Sequence, residues 1–158
     1  MSTGTSDLSA LLSTCLEDLY AGRCLAAEAL PPIGASVGKR LSDAVYAIAQ
    51  AYRDQSRDIG SLEDIVDPAD NLWMAGIMRD ARRDTETIKA GALRDIAIIG
   101  AVRKALVADE VSLETAVAIA QRLERHRVHD ALKAMQSYAR TTDDQFRDLL
   151  YAMTTGTA

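Results

Sequence analysis

Metal chemistry is the first possibility the polar residues raise. His126 and His129, the chain's two histidines, stand in RHRVHD beside Asp130. Two imidazoles and a neighbouring carboxylate are a ligand set that a divalent cation could share. The spacing also suits a plain polar turn at a helix C-terminus, where a cationic side chain is favoured, and that is the role expected here. Glu28, Asp54, Asp109 and Glu110 are the acids available for a reduced di-iron or single-metal site. Cys15 and Cys24 fall on one predicted helix, ~13 Å apart along its axis, beyond the ~7 Å Cα separation a disulfide tolerates. They are expected to be reduced, half-buried core residues. No P-loop, nucleophile elbow or dinucleotide-binding glycine run is present, and the serines and threonines have no histidine base in view.

The elements that would position these residues are helices. The sequence has 158 residues, 48% of them apolar and only 4% aromatic, with a net charge of −5. Such a composition predicts one all-α domain over residues 1–158, with residues 1–5 and 154–158 as tails. The stretch from Ala92 to Leu123 has apolar residues at spacings of three and four, among them Leu93, Ile96, Ile99, Leu106 and Leu113, which predicts a helix of ~48 Å. A first long helix, capped by Ser6 or Thr5, should end at Pro31-Pro32. A second should run from Val37 to Val66, with Ser36 as its cap and a polar interruption, RDQSRD, at 53–58. Asp67-Pro68 predicts a restart, with a shorter helix to Asp84 that Trp73 anchors on the bundle. A turn near Arg125–His129 should lead into a last helix from Val128 to Met153. Two hairpins tied by a long crossover carrying an extra helix is the ferritin-like plan.

Other classes are disfavoured. Basic residues cluster only at Arg79, Arg82 and Arg83, so no nucleic-acid partner is expected. No apolar run approaches the ~20 residues of a membrane span. The beginning, MSTGTSDLSA, has neither the basic nor the apolar region of a signal peptide, and a cytoplasmic location is the expectation.

Three stretches carry a resemblance. DLYAGRCLAAEALP (Asp18–Pro31) and LRDIAIIGAVRKALVADEVSLETAVAIA (Leu93–Ala120), with a weaker match in DDQFRDL (Asp143–Leu149), resemble the ferritin-like bacterial stress-protein family of YciE and YciF. The resemblance implies a ferritin-like bundle, association as a homodimer, and two irons held between four helices. The expected ligands are largely replaced. Arg23 stands where the first helix should carry a Glu. Leu106-Val107 replace a Glu-His pair, with Asp109 the next acid, and the last helix has Tyr138 and Ala139 where paired Glu is expected. In the second helix the ligand positions fall near Gln50 to Asp54, without a histidine.

These substitutions predict no cofactor and no catalytic residue: a non-catalytic, metal-free bundle acting as a structural or interaction protein, with the link to stress that the family resemblance implies. The crossover around Leu72, Trp73 and Ile77 is expected to contribute to a homodimer. Two other readings stay open, a metal-binding protein or oxidase with a reduced site, and a binder of a small apolar ligand. Arg23 is expected to point inward and pair with Asp54 or Asp109, because an unpaired buried charge costs several kcal/mol.

Overall fold

The computed structural model describes residues 4–156, which form five α-helices and no strand: α1 (Leu8–Gly34), α2 (Lys39–Leu62), α3 (Leu72–Thr87), α4 (Ala92–Arg122) and α5 (His126–Thr154). Residues 1–3 and 157–158 of the expected tails lie outside the described residues. The hairpins α1–α2 and α4–α5 are the closely packed pairs, α3 lies against α1 and α4, and α2 touches α4 and α5 only lightly. The all-α bundle with a helix-bearing crossover is thus the observed architecture.

Several boundaries differ from expectation. α1 passes through Pro31 and Pro32 and stops at Gly34. A proline in a helix leaves the carbonyl four residues earlier without its N–H partner. For Pro31 that carbonyl is Ala27's, and the Arg53 guanidinium of α2 donates to it at 3.1 Å. Pro32 likewise releases the carbonyl of Glu28, an exposed residue that water can reach. The N-cap of α1 is Asp7, whose carboxylate accepts from the Ala10 N–H at 2.8 Å, in place of Ser6 or Thr5. α2 starts later than predicted. Ser36 donates back to the Ile33 carbonyl, and the cap is Gly38, whose N–H is held by the Asp95 carboxylate of α4.

Asp67-Pro68 does not restart a helix. Asp67 has φ +48°, a left-handed conformation, whereas a helix N-cap takes extended angles. The cap of α3 is Asn71, which accepts from the Met74 N–H at 2.8 Å and donates to the Asp18 carbonyl at 3.0 Å. One buried amide thus starts the crossover helix and ties it to α1. Gly22 makes room for it, since a Cβ there would lie 2.7 Å from the Asn71 amide nitrogen. At the α4–α5 turn Glu124 takes φ +56°, and α5 begins at His126, earlier than expected. Leu93, assigned to the apolar seam, is exposed.

The core has two apolar clusters. One gathers Leu30, Val45, Met74, Ile99, Leu106 and Phe146. The other gathers Leu12, Leu16, Ile59, Leu113, Leu132 and Met135. Between them, at mid-height of α1, α2, α4 and α5, lie the buried polar residues Arg23, Gln55, Asp109 and Gln136.

Candidate functional site

Arg23 is the largest fully buried side chain, 1% exposed, and Asp109 is 2% exposed. The helical period places Arg23 on the stripe that carries Leu16, Leu19 and Leu30, so α1 cannot bury its leucines without burying the arginine. Asp109 sits likewise between Leu106 and Leu113 on the inner face of α4. The two meet as a fork on a fork: Nη1 donates to Oδ1 at 2.9 Å and Nη2 to Oδ2 at 3.0 Å. This bidentate geometry is the strong form of the interaction. Arg23 Nε donates to Gln55 Oε1 at 3.0 Å, and Nη1 also reaches the Leu19 carbonyl at 3.3 Å. The Tyr52 ring lies under the guanidinium, 5.5 Å from its centroid, a cation–π distance.

The electrostatics reflect depth. Burial pushes the Asp109 carboxyl above its usual value, against the opposing pull of Arg23. Burial also holds the Tyr52 hydroxyl well above 10.0, helped by the negative charge of Asp109. That hydroxyl is buried without a hydrogen-bond partner among the described residues. Tyr138, half-buried, is raised by burial as well.

The other sequence candidates do not converge on this layer. Asp54 is exposed, bound to Gln50 and Arg57, so Arg23 takes Asp109 as its partner. Glu110 turns outward to Arg140. Glu28 is exposed. Leu106 is buried, but Val107, ~100° further round α4, is 44% exposed, so only Leu106 faces the bundle centre. Ala139 is buried and Tyr138 half-buried on α5. His129 pairs with Asp130 at the start of α5, at 2.9 Å. Cys15 and Cys24 are free and half-buried. Trp73 is half-buried, its indole N–H on the Asp18 carboxylate at 3.3 Å. No group of three or more His, Cys, Asp or Glu among the described residues is placed to share a metal ion.

Three members of the layer, Tyr52, Gln55 and Gln136, were not singled out from the sequence. Tyr52 reads as an ordinary apolar position of α2, and only its distance from Arg23 reveals the ring as a cation's partner. Gln55 was visible as part of the RDQSRD interruption, and its place in the middle of a buried seam was the available signal.

No protein-family model matches the chain. No curated protein matches it either. Solved structures do. The Escherichia coli stress protein YciF superposes with a TM-score of 0.89 at 20% identity, over 96% of this chain and 99% of that one. YcfI, a proposed structural protein from Rhodopseudomonas palustris, gives 0.87 at 15% identity, over 93% and 97%. This chain has the YciF fold. The ferritin-like, all-α architecture expected from the sequence is therefore observed. Within the YciF fold, conspicuous motif residues act as latches between helices. Asp18 receives the Asn71 amide and the Trp73 indole, Asp95 holds the N–H of Gly38, the cap of α2, and Arg94 donates to the Ile88 and Ser36 carbonyls. No described helix is long and apolar enough to cross a membrane.

Proposed function

We propose that this protein is a non-catalytic, metal-free ferritin-like bundle that works as a structural or interaction protein and associates as a homodimer. The observation that carries the proposal is the Arg23–Asp109 fork at the centre of the bundle. Two irons need several anionic oxygens converging from different helices. The side chains at the centre do not fit that demand. The one buried carboxylate there has both oxygens engaged by a cation, Gln55 is neutral, and Leu106 and Ala139 have no side-chain lone pairs. A metal would have to displace a buried guanidinium that its own charge repels. Function is then sought at the surface and not in the bundle interior. The names of the structural neighbours, a stress protein and a proposed structural protein, accord with such a role and suggest a link to stress.

The test is metal analysis of protein purified from iron- and manganese-supplemented cells without chelator. Substoichiometric metal is expected, in wild type and in Asp109→Asn alike. Near-stoichiometric iron or manganese, lost on substitution of Asp109, would overturn the proposal in favour of a metal-dependent activity.

A further inference from the structure

α4 is apolar on two sides. Its inner face fills the core with Ile99, Leu106 and Leu113, yet its outer face also carries Val107 and Val111, 44% and 59% exposed. Adjacent exposed valines on a helix whose other face is already in the core mark a surface suited to a further contact. The two valines line an open groove that Trp73 of α3 walls on one edge.

The outer stripe continues in both directions at steps of four and three: Gly100, Lys104, Val107, Val111, Glu114 and Ala118, all exposed but Gly100, which is half-exposed. This is the spacing of a helix–helix seam. Its order is also self-complementary. About the level of Asp109, small residue mirrors small residue, Val107 mirrors Val111, and the cation Lys104 mirrors the anion Glu114. Lys104 and Glu114 are about 15 Å apart along one helix, too far to pair with each other. Neither makes an ion pair within the described residues; Arg140, which feels the charge of Glu114, is bound to Glu110, and Arg103 beside Lys104 is turned to Asp143.

We propose that the outer face of α4 is the surface on which a second copy of this chain docks, antiparallel, with the two-fold axis at the level of Asp109. Each Val107 then packs on the partner's Val111, each Lys104 meets the partner's Glu114, and Gly100 and Ala118 allow close approach of the backbones. An isologous contact requires such a self-complementary patch, and a parallel pairing would set Lys104 on Lys104 and Glu114 on Glu114. Trp73 at the groove edge supplies an aromatic flank of the kind enriched at interface centres. The inference rests on the homodimer proposed above and names its surface.

Charge reversal tests it. Wild type, Lys104→Glu, Glu114→Lys and the double swap are compared by sedimentation, with helicity followed by circular dichroism. Wild type and the double swap should sediment at twice the 17.1 kDa chain mass. Each single variant should dimerise at least about tenfold more weakly, since it sets like charges opposite each other twice. Mixing the two single variants should restore a dimer containing one of each, because every contact is then opposite in sign. Val111→Arg, on the same stripe, should weaken every one of these dimers. A wild-type dimer unaffected by all of these substitutions would overturn the surface and leave the homodimer standing; a wild-type monomer at high micromolar concentration would overturn both.

Discussion

Arg23–Asp109 and Arg103–Asp143 are the same chemistry at two depths. Both are bidentate Arg–Asp pairs that α4 makes with another helix of the bundle, α1 in the first case and α5 in the second. The first pair is 1% and 2% exposed, the second 27% and 13%. At the rim, water still solvates part of each charge, and the pair costs little to form or to lose. At the centre both groups have left water, and their attraction largely compensates for a desolvation cost that either would incur alone. The raised Asp109 carboxyl, against the pull of Arg23, is the signature of that cost. A buried pair therefore makes each partner indispensable to the other without making the pair a large net source of stability.

The largest expected effect is stranding one charge. Asp109→Ala leaves Arg23 buried and unpaired, and urea denaturation should show a loss of about 3–5 kcal/mol. A loss below about 1 kcal/mol, the level of an exposed pair, would erase the contrast between the two sites. Replacing both partners with hydrocarbon should give the opposite result. Arg23→Met with Asp109→Leu is expected to match wild type or to exceed it by about 1–4 kcal/mol. A double variant as unstable as Asp109→Ala would mean that the ion pair itself, and not the stranded charge, holds the bundle together.

Tyr52→Phe sharpens the buried side of the comparison. It keeps the ring under Arg23 and removes a hydroxyl without a partner, so a gain of about 1 kcal/mol is expected at neutral pH. The tyrosine also gives a pH signature. Its folded value lies above the 10.0 of an unperturbed phenol, so the stability held by the neutral ring is complete below that pH and is lost as pH rises above it. The wild type should lose stability above pH 10 faster than the Phe variant; parallel curves would assign the alkaline loss to other groups. The smallest effect belongs to the rim. Arg103→Ala should cost about 0.2–1 kcal/mol, and added salt should shrink the difference.

Much of this layout was legible in the sequence. The apolar period of α4 marked its ends to within a residue, and the long segment between α2 and α4 announced a crossover with its own helix. Arg23 amid the leucines of α1 announced a buried charge. The prolines misled. Pro31 and Pro32 are strong local stops, but Arg53, from a different helix, satisfies a carbonyl that they free. Asp67-Pro68 misled for the converse reason, since the N-cap went to Asn71, which could also bond to α1 across Gly22.

By itself, the sequence determined which residues share a face of each helix, because that depends only on 3.6 residues per turn and the chain's own side chains. It thus determined that Arg23 would be inward with the leucines of α1. Which acid Arg23 meets was decided by the tertiary structure. Asp54 and Asp109 were equal candidates until α2 and α4 were set in rotation about their axes, which turned one carboxylate to solvent and the other to the centre. The same rotation carried Leu106 inward and Val107 outward. That angle is set by packing between helices remote in sequence, and no periodicity within a single helix encodes it.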